Sequence, residues 1–486
     1  MNQAIVVDPR RQRALILSVA FASFMVNLDT YIVNISLPAI TDYFDATTSE
    51  VSWVSLTYNL TVASLLLIFG KLGDRVGMKK LFMYGYAVFT ASSLLCGLST
   101  HMSWLLAGRC LQGIGASVLY AMTPAMISKF LPKEIRGVAF GTLATVAALG
   151  ITVAAPLGGL LTGLLSWHWI FLINIPTGVV AIIVCHWVVP QDSPETGASG
   201  CFDIAGAVLS FTAALTLVFT MNQGHETGWA SSVIVSSFLL SVLSFVLFLL
   251  RERSAATPLL ELRLFSNLAF TLGNLASVLA FAFLAGHNFL LPFYLTLVAG
   301  MRIEKAGAIY LIYSLVYMAV GPAAGRISKR VPPRTLCTAS MILGAFTAFG
   351  FAVSLSLPAL WPVMTYLVLL GVTFGLFVTS NNTVVMDMAP DGKQGMVSGV
   401  YRMFNRLGMT FGVCFFETVF SHLLAVHTMA GKVDYETLPR ALLARGFKYS
   451  YLAGAAVLFV AMAFSWLARS RPPTGVSRGT ASAAVG

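Results

Sequence analysis

The sequence predicts an all-α integral membrane protein: two six-helix bundles related by an internal repeat, with two further helices inserted between them, fourteen membrane helices in all. Three observations carry this. Only 10% of the 486 residues are charged and 57% are hydrophobic, against roughly a quarter charged in ordinary soluble domains. A soluble fold cannot enclose so large an apolar fraction. The apolar residues also come in continuous runs rather than alternating ones. A hydrocarbon core of roughly 30 Å takes about 20 residues of helix to cross, and only helices or closed barrels satisfy backbone groups there; continuous runs select helices. Finally, short polar motifs recur at a nearly fixed distance. The stretch from Gly70 to Lys80 (Gly-Lys-Leu-Gly-Asp-Arg-Val-Gly-Met-Lys-Lys) and that from Gly325 to Arg334 (Gly-Arg-Ile-Ser-Lys-Arg-Val-Pro-Pro-Arg) each join two apolar runs and start 255 positions apart (325 − 70). Pro132 to Gly141 and Pro390 to Gly399 share the spacing Pro-x4-Gly-x3-Gly and start 258 apart (390 − 132). Repeats at one period mean a duplicated unit.

Taken in order, the apolar runs place helices near 14–38, 51–70, 81–99, 103–130, 137–163, 168–189 and 203–222. The others fall near 231–250, 267–298, 305–326, 335–355, 361–387, 395–424 and 447–468. The division that follows is an N-terminal six-helix bundle over 1–190, a linker and two inserted helices over 191–260, and a C-terminal bundle with a short tail over 261–486. With both termini in the cytoplasm, most Lys and Arg fall on the inner side, as the positive-inside rule requires. One loop dissents, with Lys432, Arg440, Arg445 and Lys448 outside. The net charge of +11 reads as attraction to anionic headgroups, not to nucleic acid, because no basic run is free of the membrane. Arg10, Arg11 and Arg13 before the first run imitate a signal peptide, but that run is too long and contains Asp29. The six cysteines show no metal-ligand or redox spacing, and no metal or cofactor is expected.

Charge inside a bilayer is costly and faces a cavity or a partner. In the first helix Asn27, Thr30 and Asn34 share a face, with Asp29 beside them at mid-span. The carboxylate reads either as a structural hydrogen bond to a neighbouring helix or as a proton carrier that loads and unloads as water access changes. In the fourth helix Arg109, Gln112, Tyr120 and Thr123 lie within a narrow arc at 100° per residue; Arg109 is the natural partner of Asp29, as a tuner of its protonation or as a static brace. The thirteenth helix carries Arg402, Asn405, Arg406 and Glu417 within about a third of its circumference, the mark of a water-filled cavity. Glu417 is a second candidate for protonation. His287, Asn288, Tyr294, Asn381 and Asn382 are further candidates for that cavity, His287 alternatively as a hydrogen-bonded packing residue. Glycine pairs at helical spacing (Gly159/Gly163, Gly321/Gly325, Gly371/Gly375, Gly408/Gly412) read as close helix contacts. Between the second and third helices, Gly70, Gly73 and Gly77 permit close packing around Asp74 and Arg75. Asp74 there is placed to accept bonds from a helix N-terminus or from a base such as Arg136, as a latch; the second copy has Lys329 in its place.

These stretches resemble the 14-helix drug:proton antiporter branch of the major facilitator superfamily. The loop from Gly70 resembles the family's signature after helix two, and Arg109-Cys-Leu-Gln-Gly-Ile-Gly-Ala-Ser117 its helix-four signature. Trp167-His-Trp-Ile-Phe-Leu-Ile-Asn-Ile-Pro-Thr-Gly178 resembles the most branch-specific stretch, and the resemblance covers nearly the whole chain. It implies alternating access around a midplane site, with proton coupling at Asp29 and Arg109 and gating at Asp74, Arg75 and Arg136. In helix five, Ala155-Pro156-Leu157-Gly158-Gly159 departs from the family's antiporter signature by one position, which bears on direction. The expectation is a proton-gradient-driven exporter of amphipathic cationic or neutral compounds, a monomer in the inner (cytoplasmic) membrane. The alternative is a dedicated carrier for one metabolite, lipid or siderophore, for which Arg402 and Arg406 would suit an anionic group. An enzyme is not expected: no nucleophile and base pair, metal spacing or phosphate-cradling loop is present.

Overall fold

The computed structural model describes residues 5–46, 48–192, 203–255, 258–301, 303–355, 360–390, 392–428 and 439–468. Among these described residues fourteen long helices follow one another: α1 (Pro9–Phe44), α2 (Thr48–Val76), α3 (Met78–Gly97), α4 (Met102–Phe130), α5 (Lys133–Leu164), α6 (Asn174–Val188), α7 (Ile204–Thr227), α8 (Ser232–Ser254), α9 (Leu268–Phe293), α10 (Ile303–Ile327), α11 (Pro333–Ser354), α12 (Trp361–Met386), α13 (Gln394–Thr428) and α14 (Arg440–Leu467). A four-residue turn, Trp169–Leu172, leads into α6, and one π turn, Tyr294–Val298, extends α9. Twelve spans among the described residues are long and apolar enough to cross a bilayer. The remaining two helices, α3 and α13, are packed against several others, and α13 carries Arg402, Arg406 and Glu417. The protein is a multi-pass membrane protein.

Local chemistry sets the ends of several helices. Asp8 caps α1, its Oδ1 accepting from Arg10 N at 2.9 Å, and Pro9 supplies a first-turn residue that needs no donor. α3 starts at Gly77, at φ 101°, a conformation that only glycine adopts freely. Asp192 reaches back to cap that start, accepting from Met78 N at 2.7 Å and Lys79 N at 3.1 Å. α14 starts at residue 440 rather than near 447. Leu443 and Phe447 are buried one turn apart, so the amphipathic pattern extends the helix outward and takes up Arg440, Arg445 and Lys448. Those three are therefore helix residues; Lys432 lies outside the described residues.

α1 to α6 pack among themselves, as do α9 to α14. The inserted pair, α7 and α8, packs together, and α7 lies across the seam between α2 and α13. There Val218 sits with Leu60 and Ala63 of α2, against Leu407 of α13, and Cys414 Sγ donates to Met221 O at 3.0 Å.

The halves meet most closely at the end of the molecule carrying the signature loops, hereafter the loop end. Val6 N bonds to Phe130 O there, and the last turn of α14 lies beside the start of α11, so both ends of the described chain are on this side. The two repeated motifs pair crosswise. A Cβ on Gly70 would stand 2.5 Å from Gly395 O, in the second copy's Pro-x4-Gly motif. By the same construction Gly325 lies against the Gly137 carbonyl, in the first copy's. α2 crosses α13 and α5 crosses α10 backbone to backbone. Gly371, Gly375, Gly408 and Gly412 also mark close crossings, against Val316, Val320, Val278 and Ala282. Gly159 and Gly163 do not: nothing described lies within 4 Å of a Cβ there, because that side of α5 faces outward.

Gly70→Leu should therefore wedge the loop end apart. In a cysteine-free background, Ser398→Cys, whose native hydroxyl bonds Ala121 O across this seam, should react with an impermeant maleimide several-fold faster when Gly70→Leu is added. Unchanged labelling would mean that the crossing does not hold the halves closed.

Candidate functional site

Asp29 lies wholly inside the first bundle, with no exposure. Its Oδ2 accepts from Arg109 Nη1 at 2.7 Å, and its Oδ1 from Gln112 Nε2 at 2.7 Å and Asn174 Nδ2 at 3.1 Å. α1, α4 and α6 thus converge on one carboxylate. Arg109 is held independently of the acid: its Nε donates to Val54 O at 3.0 Å, its Nη1 to Gln112 Oε1 at 2.7 Å, and its guanidinium lies 4.1 Å from the Tyr58 ring centroid. Gln112 Nε2 also donates to Ser93 Oγ at 2.8 Å. A buried ion pair is tolerated when further hydrogen bonds serve both members; here they come from α2, α4 and α6, and only Arg109 Nη2 is left without one among the described residues. The helix-five glycines bear on the same element, since Gly150 and Gly158 let α5 lie on Phe24 and Ile32 of α1. Pro156 and Gly159 face outward.

The second bundle holds the repeat-related position with an imidazole in place of the carboxylate. His287 stands 258 positions after Asp29 (287 − 29), the offset of the second motif pair. It is equally buried, with Nδ1 2.9 Å from Tyr366 Oη and 3.1 Å from Tyr451 Oη. Tyr366 on α12 and Tyr451 on α14 stand where α4 and α6 contribute Arg109 and Asn174. The repeat keeps the three-helix convergence and replaces an ion pair with an imidazole and two phenols.

Between the halves lies a cavity of about 120 Å³. The first half contributes Asn27, Thr30 and Tyr31 of α1, Tyr120 of α4 and small residues of α5; the second contributes Asn288, Tyr310, Tyr313, Tyr317, Asn382, Arg402 and Arg406. Asn288 accepts a short hydrogen bond from the Tyr310 hydroxyl. Arg402 and Arg406 lie over the Tyr120 ring, at 4.3 and 5.6 Å from its centroid. A second pocket of about 440 Å³ adjoins it, sharing Thr30, Tyr31, Arg406 and Met409 and adding Asn34, Asn59, Glu417 and Val218 of the inserted α7. The polar face of α1 is thus divided: Asn27 and Thr30 line the cavity, Asn34 the adjoining pocket, and Asp29 points away into the bundle.

At the loop end Asp74 accepts from Gly395 N at 2.7 Å and Met396 N at 2.8 Å, the free amides at the start of α13. A carboxylate is favoured there by both the unpaired N–H groups and the helix dipole. Arg136 is not its partner. Its Nη1 bonds Asp387 Oδ1 at 3.0 Å instead, a second link between the halves, from α5 to the end of α12. Gly73 lets Met122 of α4 close over α2, and Arg75 is half-buried beside Asp74.

Several expected cavity residues lie elsewhere. Gln112 belongs to the sealed Asp29 network. Asn405 accepts from Ser277 Oγ at 2.5 Å in the α9 contact. Asn381 faces α9 near Gly273, while its neighbour Asn382, about 100° round the helix, faces the cavity. Tyr294 lines a pocket at the far end with Lys305, Arg440, Arg445 and Lys448. His287 packs among aromatic rings behind the wall. Asn174, Ser93 and Tyr58 went unassigned from sequence; the polar Asn174 inside the apolar run of α6 was the one signal available.

The chain matches the Major Facilitator Superfamily family model over residues 19–413. It is 30% identical over 401 residues to the riboflavin transporter RibZ of Clostridioides difficile (strain 630), covering 82% of this chain and 86% of that one. It is also 30% identical over 450 residues to the methylenomycin A resistance protein of Bacillus subtilis (strain 168), covering 92% and 94%. Among solved structures, the human organic anion transporter MFSD10 (TETRAN) superposes with a TM-score of 0.68 at 14% identity, covering 94% of this chain and all of that one; the likeness is one of fold. The matched family and these neighbours are transport or resistance proteins, not enzymes. With the family model spanning most of its length over a two-bundle fold of fourteen helices, the chain belongs to the Major Facilitator Superfamily of membrane transporters, in the 14-helix branch that its motifs resemble.

Proposed function

We propose that this transporter exports amphipathic, drug-like compounds in exchange for protons, by alternating access and with the proton gradient as its energy source. The observation that carries the reading is the sealed Asp29–Arg109 pair, set on α1 directly behind the cavity-lining Thr30 and Tyr31. While Asp29 is ionised, its three bonds tie α1 to α4 and α6. A proton on Asp29 removes the charge-assisted bond and leaves the Arg109 charge with only the neutral Val54 carbonyl, Gln112 and Tyr58 ring, a costly state that favours rearrangement. α1 is then free to shift, and the cavity wall shifts with it. His287 and its phenols offer no equivalent ion pair, so the coupling step belongs to the first half, residues 1–190. Residues 261–486 form the opposing half, and 191–260 carry the inserted pair. A cavity of about 120 Å³ is too small for a drug-sized ligand, which takes roughly 300–1,000 Å³. Loading requires the halves to part.

In this reading the loop end faces the cytoplasm with both termini, in the inner membrane, and the chain works as a monomer. The Asp74 and Arg136 links hold the cytoplasmic side shut, and the adjoining pocket leads outward. The methylenomycin A resistance relative supports export of toxic compounds; the RibZ relative supports the second reading, a carrier dedicated to one metabolite. A resistance screen against a secretion assay separates the two. The cationic part of the expected substrate range finds no acid among the described residues lining the cavity.

In inverted vesicles with an imposed pH gradient, a transported dye from a panel of neutral, cationic and anionic fluorophores should dissipate the gradient with native protein and not with Asp29→Asn. Equal dissipation by both would remove Asp29 from the coupling step. Arg109→Ala, which strands a buried carboxylate, should cost about 3–5 kcal/mol of stability, read as a lowered melting temperature in detergent. The pair Asp29→Asn with Arg109→Gln should recover part of that loss, and no recovery would mean that the cost is one of packing. Asp74→Ala should slow turnover about tenfold or more while leaving dye affinity nearly unchanged; a large loss of affinity would count against a latch.

A further inference from the structure

No acid among the described residues lining the cavity balances its two positive charges, Arg402 and Arg406. Arg402 is 8% exposed and makes no hydrogen bond or ion pair among the described residues; its Nε is buried and unsatisfied. Arg406 has one side-chain bond, to Asn59 Oδ1 at 3.2 Å, and its Nε is likewise unsatisfied. The two stand one helical turn apart on α13, and both guanidiniums lie over the single ring of Tyr120. Their separation suits one shared ligand group. Asp29 is already committed to Arg109 behind α1. Glu417 is eleven residues along α13 from Arg406, roughly 16 Å at the helical rise, and lines only the adjoining pocket. An unpaired buried charge is costly, and two like charges side by side add to that cost.

Aromatic rings make up a large share of the remaining wall, beside aliphatic and small residues such as Leu143, Ala147, Ile151, Leu284 and Val378. Tyr31, Tyr120, Tyr310, Tyr313 and Tyr317 surround the space, and phenol rings take flat apolar surfaces by offset or edge stacking. Taking the cavity as the transport site, as proposed above, we infer that its substrate is a planar aromatic compound carrying an anionic group. The ring lies among the tyrosines. The carboxylate, sulfonate or phosphate lies between Arg402 and Arg406, whose planar forks match such groups. Because both arginines belong to the second half and Tyr120 to the first, the ligand contacts both halves at once and replaces a cation–π contact with an ion pair.

Binding tests this without reference to transport. Pyrene-1-sulfonate, 1-pyrenemethanol and 1-pyrenemethylammonium share one ring and differ in charge. They are titrated against the full chain in lipid nanodiscs, read by tryptophan-to-pyrene energy transfer with empty nanodiscs subtracted. The sulfonate should bind roughly tenfold or more tightly than the ammonium probe, a difference one charge-assisted bidentate contact supplies. Arg402→Gln with Arg406→Gln should level the three probes to within about threefold, whereas Arg402→Lys, which keeps the charge, should retain the order at weaker affinity. An equal or inverted order in the native protein, no saturable sulfonate binding, or a preference that survives the double substitution overturns the inference. A sulfonate preference without dye-linked proton flux in vesicles would sink the antiport reading and leave the anion site standing. Flux with a cationic dye and no sulfonate preference would do the reverse.

Discussion

The structure is built around a carboxylate and a guanidinium that have no access to water. In a low-dielectric bundle neither charge is tolerable alone, and their mutual attraction offsets desolvation only when the remaining donors and acceptors are also used. That requirement recruits Gln112, Asn174, Ser93, the Val54 carbonyl and the Tyr58 face, and so fixes the rotation of α1, α4 and α6 about their axes. With α1 turned to present Asp29 inward, Thr30 and Tyr31 must face the opposite half. The buried pair therefore positions the cavity wall it does not itself line.

Backbone closeness is the second constraint. The loop-end seam is made by glycines, and the two motifs that reveal the duplication turn out to be each other's partners across the pseudo-symmetry. The crossings are alike in shape and unlike in chemistry. On the α2–α13 side Asp74 caps a helix start; on the α5–α10 side the equivalent position is Lys329, whose charge has the wrong sign to do the same. One crossing carries charge-assisted bonds and the other rests on packing, with Thr145 Oγ1 donating to Met318 O at 2.8 Å. The seam is also apolar: Met396, Val400 and Tyr401 of α13 belong to one buried cluster with Leu66 and Leu67 of α2 and Met122 of α4. The inserted α7 bridges the α2–α13 seam and lines the adjoining pocket, so the extra pair lies against both halves.

Much of this was legible in the residues themselves. Helix number, the duplication, the inserted pair and the membrane setting follow from hydropathy and repeat spacing, which are local properties carried by each segment alone. The Asp29–Arg109 partnership was legible too, because two opposite charges in apolar helices of one bundle have few other places to go. Asp74 was readable as a helix-end ligand because it is an acid set among bases in a tight turn.

What only the tertiary structure decided is which face of each polar helix meets which neighbour. Residues one position apart differ by about 100° around a helix, so Asp29 and Thr30, or Asn381 and Asn382, belong to different environments although a sequence window treats them as one polar patch. Glycine spacing likewise marks a groove without naming what fills it, and so Gly408 meets α9 while Gly159 meets nothing described. Composition and periodicity, set by the chain alone, determined that this is a duplicated bundle of membrane helices with a few internal charges. Packing, which depends on contacts hundreds of positions apart, decided that the acid is sealed, that the paired arginines stand open to the cavity, and that the repeated motifs close on one another.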